Sequence, residues 1–97
     1  MQGSNNSEEF YTKLKTQLYE TSSWPTVYLF KFIVTSDQQK VEKIKSIFDN
    51  LGAVFNTTAS KKGNYVSISI HVEMKDPEGI IEKYKQISHN VEGVISL

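Results

Sequence analysis

The sequence predicts an α+β domain in which two β-α-β units follow an N-terminal helix. Three patterns support this prediction. A β-branched and aromatic run fills residues 27–34, apolar and polar residues alternate strictly over residues 65–74, and the segments after these runs repeat apolar residues at helical spacing. A period of two residues indicates a strand with one buried face, whereas apolar residues three and four positions apart indicate an amphipathic helix.

The N-terminal part of the chain divides into a tail and a helix. We expect residues 1–7 to be a disordered tail, because they are polar and uncharged. Residues 8–23 then form a helix and a linker, and residues 24–97 form the main domain. We expect Trp24 to anchor the helix to the edge of the sheet, and an anchor in a protein interface is the alternative. The apolar stripe of the helix consists of Phe10, Leu14 and Leu18, widened by Tyr11.

Residues 27–34 have the composition of a central strand that is covered on both faces. One face carries Phe30 and Phe32, and the other carries Leu29, Lys31 and Ile33. Ser36 and Gln39 have capping-box spacing and predict the start of the next helix. The buried stripe of that helix is Val41, Ile44, Ile47, Phe48 and Leu51. Gly52 stands at the position where a left-handed residue ends a helix.

The second half of the chain repeats the pattern. Residues 53–59 and 65–74 predict two strands joined by a hairpin loop at residues 60–64. Asp76, followed by proline, predicts the N-cap of a helix, and residues 91–97 predict a short last strand. The apolar face of this helix is Ile80, Ile81, Tyr84 and Ile87.

The order β-α-β-β-α-β predicts a ferredoxin-like βαββαβ plait, with a four-stranded antiparallel sheet, two helices on one face and an extra N-terminal helix. The other face of the sheet is open in such a fold. The N-terminal helix or a second subunit are the candidates to cover it. The second and last strands are expected at the sheet edges, and neither residues 55–58 nor 94–97 contain a Lys or Pro that would block edge pairing. We therefore expect a homodimer.

The composition excludes several classes of function. The 97-residue chain has eleven Lys, eleven acidic residues, no Arg and no Cys. A neutral chain without Arg argues against nucleic acid as a partner, because phosphate neutralisation provides much of that affinity. The absence of Cys excludes disulfides, thiolate metal sites and cysteine nucleophiles. No apolar run is long enough to span a membrane, and no signal peptide is evident, so we expect a cytoplasmic protein.

The residues contain no recognisable catalytic apparatus. Acylphosphatases with this fold need an Arg in the loop after the first strand, and metallochaperones with this fold need a Cys pair there. In this chain the loop is Thr35-Ser36-Asp37. His71 and Glu73 share a strand face, but no third metal ligand accompanies them. RNA binding needs several aromatic side chains on the open face, where Tyr65 stands alone. We therefore expect a protein that is not an enzyme and has no cofactor or metal.

A candidate ligand site follows from the shared strand face and the hairpin loop. Lys31, Tyr65 and Ser67 fall on the open face, where an ammonium, a phenol and a hydroxyl group could bind a carboxylate or another anion. The adjoining hairpin loop contributes Ser60, Lys61, Lys62 and Gly63. In the alternative interpretation, these polar residues bond only one another or the N-terminal helix, and the loop is a solvated hairpin.

At Trp24-Pro25-Thr26 and at residues 60–69, the chain resembles the YbeD-like proteins, a bacterial family labelled lipoic acid-binding regulatory proteins. The residues that match the family pattern are Pro25, Lys31, Ser60, Gly63, Tyr65 and Ser67. Ala59 replaces the usual Pro, and Trp24 replaces the usual Phe. The resemblance covers residues 24–97. It implies a plait similar to the amino-acid-binding ACT domains, a regulatory or ligand-sensing role and a link to lipoate metabolism.

These observations together predict a non-enzymatic regulatory module that binds a small metabolite or a partner protein through the open sheet face or the hairpin loop. A protein-interaction or structural module without a small ligand is the alternative. RNA binding is a third and less favoured interpretation.

Overall fold

The computed structural model describes the backbone of residues 2–97 and the side chains from Glu8 onward. It contains three helices and four strands, which form an α+β fold. In chain order these are α1 (Gln2–Thr21), β1 (Thr26–Thr35), α2 (Gln38–Ile47), β2 (Val54–Ala59), β3 (Tyr65–Met74), α3 (Pro77–Asn90) and β4 (Ile95–Ser96). No helix in this part of the chain has both the length and the apolar character needed to cross a membrane.

The four strands form one antiparallel sheet in the order β2-β3-β1-β4. The prediction that the second and last strands form the sheet edges is therefore confirmed. β1 and β3 pair over their full length, from Thr26 opposite Met74 to Thr35 opposite Tyr65. This register gathers the even-numbered residues of both strands on one face, which is the buried face.

The core lies between this face of the sheet and helices α2 and α3. Its fully buried side chains include Phe30, Phe32, Phe48, Ile44, Ile68, Ile70, Ile80 and Ile87. Burial of this apolar area is the main free energy that favours folding, at about 25 cal/mol per Å² removed from water. The opposite face of the sheet is exposed or half-buried along its length.

Helix α1 packs against α3 and does not cover the open face. Leu18 belongs to the core cluster, and Tyr11 and Leu14 pack beside it. Trp24, which is half-buried, donates a hydrogen bond from Nε1 to the carbonyl oxygen of Leu18 at 3.2 Å. Trp24 thus ties the end of α1 to the start of β1.

The N-terminal segment differs from the prediction. Gln2–Thr21 is helical, so residues 2–7 extend α1 where a disordered tail was expected, and Met1 lies outside the described residues. No Pro interrupts this segment, and adding residues to a formed helix costs far less than starting one. Phe10, expected on the buried stripe, is 60% exposed, because the contact stripe runs through its neighbour Tyr11.

Two further predictions near the ends of elements were wrong. Asp37, not Ser36, caps α2: its Oδ1 accepts a hydrogen bond from the backbone N–H of Gln39 at 2.9 Å. The backbone N–H of Ser36 instead donates to the hairpin residue Asn64. Leu51 is 42% exposed, because α2 ends four residues earlier, although Gly52 has the expected positive φ of 73°.

The last strand is shorter than predicted. Only Ile95–Ser96 pairs with β1, whereas residues 91–97 were expected to do so. Val91 is buried and caps the C-terminal end of α3, where its backbone N–H donates to the carbonyl oxygen of Ile87. Gly93 then turns the chain with a φ of 71°. Because of these two features, β4 begins only at Ile95.

Candidate functional site

The open face is built from the odd-numbered residues of β1 and β3, together with Val54, Asn56 and Thr58 of β2 and Ile95 of β4. Leu97 continues this face, because its backbone N–H donates to the carbonyl oxygen of Lys31 at 2.9 Å. Most of the exposed large apolar side chains of the described residues belong to this face. They are Val27 (63% exposed), Leu29 (45%), Val54 (60%), Tyr65 (49%), Ile95 (52%) and Leu97 (65%).

Short polar side chains fill the part of the face between β2 and β3. Asn56 lies opposite Ser69, and Thr58 lies opposite Ser67. These short side chains have little apolar surface and do not shield larger neighbouring side chains from solvent. Four of the six exposed apolar residues therefore lie along β1 and β4, on the side of the face that also carries the exposed side chain of Lys31.

Three of the predicted site residues do share this face, but they do not meet at one point. Lys31 lies opposite Ser69, Ser67 lies opposite Ile33, and Tyr65 lies opposite Thr35. Ser67 is thus a diagonal neighbour of Lys31. Tyr65 is four residues from Ser69 along β3, a distance of about 13 Å. Lys31 and Tyr65 are therefore not neighbours on the face, and the binding of one anion by both residues stays a prediction.

The hairpin loop uses several of its polar groups internally. The Ser60 hydroxyl accepts a hydrogen bond from the Tyr65 backbone N–H at 3.1 Å. The backbone N–H groups of Ser60 and Gly63 donate to the carbonyl oxygens of Tyr65 and Ser60, at 2.8 and 2.9 Å. Gly63 has a φ of 75°, a left-handed conformation that favours glycine. These three N–H groups stabilise the hairpin and are not free to bind an anion.

Lys61 and Lys62 lie at the exposed tip of the hairpin. Ser60 and Tyr65 close its base, so the lysines extend beyond the sheet, away from Lys31. The seven predicted site residues therefore occupy two separate places, the open face and the loop tip. Their role in ligand binding stays a prediction.

Electrostatic effects are concentrated where α1 meets α3, away from the open face. The Tyr19 hydroxyl donates a hydrogen bond to the carboxylate of Glu78, at 2.7 Å from Oε2. This bond raises the pKa of Tyr19 to about 12 and lowers the pKa of Glu78 below its usual value. Lys85 adds a salt bridge to Glu8 at 3.9 Å. These contacts hold α1 in place and provide no reactive group.

The other perturbed group is a buried phenol. The hydroxyls of Tyr84 and Tyr28 lie 3.0 Å apart. Burial, with this hydrogen bond, raises the pKa of Tyr84 well above its usual value of 10.0. Both rings pack edge-on against Phe30 in the core. The pair is therefore a satisfied polar contact inside an aromatic cluster, rather than an accessible acid or base.

The larger cavities of the described residues lie away from the predicted site. An open groove of about 660 Å³ runs between the start of α2 and the end of α3, and is lined by polar and charged side chains. A second groove of about 460 Å³ lies between Leu51, the end of β3 and the start of α3. Neither is lined by Lys31, Tyr65 or the hairpin loop. From Glu8 onward, no three His, Asp or Glu side chains are grouped closely enough to hold a metal ion.

The sequence prediction missed part of the apolar surface. Leu29 and Ile33 were placed on the open face from their alternation, but Ile95, Leu97 and Val54 were not. Their positions depend on strand pairing between β4 and β1 and between β2 and β3. The signal that could have found them is the apolar composition of residues 94–97 at a predicted sheet edge.

The chain matches a family of known sequences. A family model described as "Protein of unknown function (DUF493)" matches residues 20–95. This range contains β1, β2, β3, α2 and α3 and reaches the first residue of β4, and it leaves almost all of α1 outside. No curated protein and no solved structure was found to match the chain.

Proposed function

Because the chain belongs to the DUF493 family, to which the YbeD-like proteins also belong, we propose a role from its surface: it is a non-enzymatic, regulatory protein-interaction module that binds a protein through the open sheet face. The observation that supports this proposal is the concentration of exposed apolar side chains on that face. Six large apolar residues there are 45% to 65% exposed. Such patches on a folded domain are typical of interaction surfaces.

The distribution of side chains on the face also supports a protein as the ligand. Four of the six exposed apolar residues follow β1 and β4 as a band, while the side towards β2 carries mainly Ser, Thr and Asn together with Val54 and Tyr65. Protein interfaces commonly combine an apolar centre with a polar rim. A small metabolite needs a concave pocket that surrounds it, whereas this face is the surface of a sheet.

The type of fold is proposed from the strand order and the packing of the helices. The strand order β2-β3-β1-β4, with α2 and α3 packed on the other face, supports a ferredoxin-like plait to which α1 has been added. The ACT-like character, the regulatory role, the link to lipoate and the cytoplasmic location come from the sequence and its resemblance. They stay predictions, as does the binding of a small metabolite.

Site-specific photo-crosslinking in living cells tests the proposed function. A photoreactive phenylalanine analogue replaces Leu29 or Ile95 on the open face, and Phe10 in a matched control. Phe10 is equally large, apolar and exposed, but it lies on α1. We expect discrete protein adducts from positions 29 and 95 and none of the same mass from position 10.

A further substitution checks that these adducts depend on the face. Val27→Asp introduces a charge beside Leu29 without touching the core, because Val27 is 63% exposed. It should weaken the adducts formed at position 29. Equal adducts from both sides of the domain, or none from the open face, would contradict the proposed function.

A further inference from the structure

We infer that a second copy of this chain occupies the open face, in a two-fold symmetric dimer that pairs Lys31 of each copy with Glu73 of the other. This inference rests on the proposed function and names the partner of the same surface. It starts from the charges. Lys31 and Glu73 are exposed, share the open face and carry opposite charges.

The two charges cannot pair within one copy. Lys31 lies opposite Ser69, and Glu73 is four residues further along β3. With about 3.3 Å per residue along a strand and about 4.8 Å between strands, the two Cα atoms are about 14 Å apart. Among the described side chains neither residue has a salt-bridge partner. An exposed charge beside apolar residues is the kind of group for which a binding partner supplies an opposite charge.

The register of the strands makes the face complementary to itself. The point midway between Lys31 and Glu73 lies beside the Leu29–His71 pair. Consider two copies stacked with their open faces together, related by a two-fold axis that lies between the sheets. If the axis passes through this point and is perpendicular to the line from Lys31 to Glu73, Lys31 of each copy lies over Glu73 of the other. The same axis brings Leu29 close to its own counterpart.

The apolar band follows the same symmetry. With the same spacings along and between strands, the axis places the Cα atom of Val27 in one copy and that of Leu97 in the other within about 4 Å, measured parallel to the sheets. Val27 and Leu97 are 63% and 65% exposed. The arrangement therefore buries the most exposed apolar side chains together with the two charges. His71, which pairs with Leu29, lies near the axis and faces its counterpart.

The area of the face fits a reversible dimer. Ten-residue strands are about 33 Å long, and four strands span about 19 Å, which gives at most about 600 Å² per copy. Two such faces bury at most about 1,200 Å², at the lower limit of specific interfaces. We therefore expect association at micromolar concentrations rather than a permanent dimer. Pairing of two copies along the edge strand β4 would bury less area, because this strand has only two residues.

Sedimentation equilibrium of the purified full chain and of two charge variants tests this inference. Lys31→Glu places two acidic residues at each contact, and Glu73→Lys places two basic ones. Both side chains are exposed, so circular dichroism should show unchanged folding. Each contact occurs twice in the dimer, and each variant replaces an attraction by a repulsion. We expect the dissociation constant to rise at least about tenfold in either variant.

Mixing the two variants is the decisive step. A heterodimer of Lys31→Glu with Glu73→Lys has opposite charges at both contacts, so the mixture should associate although each variant alone does not. A pair that formed within one copy would not be restored by mixing the two variants. A Lys43→Glu variant, altered on exposed α2, is the matched control and should behave as the unmodified chain.

Two results would overturn the inference. One is an unmodified chain that stays monomeric up to about 1 mM. The other is a mixture that associates no better than its components. Photo-crosslinks from position 29 to a different protein would then leave the proposed function intact, whereas loss of those crosslinks as well would remove both.

Discussion

Replacing Ile70 by Ala provides a sensitive test of the sheet register. Ile70 is fully buried and lies between Phe30 and Phe55 on the two neighbouring strands. The substitution removes three carbon atoms, which at about 0.8 kcal/mol per buried group corresponds to about 2.4 kcal/mol of lost transfer free energy. The cavity that remains raises the expected loss to about 3–4 kcal/mol.

Leu29→Ala is the matched control, because it removes the same number of carbon atoms one position along the ladder. Leu29 lies opposite His71 on the open face and is 45% exposed. Solvent fills the space that the side chain leaves, so no cavity forms. We expect a loss of about 1 kcal/mol at low protein concentration, where the open face is unoccupied.

Urea unfolding followed by circular dichroism measures both effects. With a slope of about 1.2 kcal/mol per M, the Ile70→Ala midpoint should fall by about 2.5–3.3 M, and the Leu29→Ala midpoint by less than about 1 M. A shift of one residue in the pairing of β3 would exchange the two faces. Equal losses in both variants, or a larger loss for Leu29→Ala, would refute the register described above.

Three further predictions concern local contacts. Tyr19→Phe removes the hydrogen bond to Glu78, so the pKa of Glu78, followed by NMR titration, should rise towards its usual 4.5; an unchanged pKa would mean that the bond is absent. Because the folded-state pKa of Glu78 is lowered, this contact stabilises the protein above pH 4.5 and is lost as the pH falls through the folded value. Gly63→Ala should cost about 1 kcal/mol in thermal unfolding, since alanine disfavours the positive φ; no loss would indicate a different turn. Asp76→Ala removes the cap that accepts from the Gly79 N–H at 2.9 Å and should also cost about 1 kcal/mol, while Asp76→Asn should retain most of the stability.

The fold was predictable where periodicity was strong. The alternation over residues 65–74 gave the bounds of β3 and its buried face, and Asp76 with the following proline gave the start of α3. The ends of elements were less predictable because contacts distant in sequence decide them. The backbone N–H of Ser36, for example, donates to the carbonyl oxygen of Asn64 in the hairpin, and α2 begins one residue later, with Asp37 as its cap.

The candidate site was only partly predictable for the same reason. Alternation assigned Lys31, Tyr65 and Ser67 to one face but could not give their separation, which depends on the pairing of β1 with β3. The contributions of Ile95 and Leu97 depend on a two-residue strand that has no periodic signal of its own. The packing of α1 against α3, which leaves the face open, depends on contacts such as that between Tyr19 and Glu78.

The most direct test of the central claim is to follow methyl NMR signals as the protein concentration is raised from about 20 µM to about 1 mM. If the open face binds a second copy, the signals of Val27, Leu29 and Leu97 should shift together along one binding curve. Leu51 is a suitable internal control, because it is 42% exposed but lies beyond α2, outside the open face. Constant signals at all four residues, or a shift at Leu51 as large as those on the face, would contradict the account.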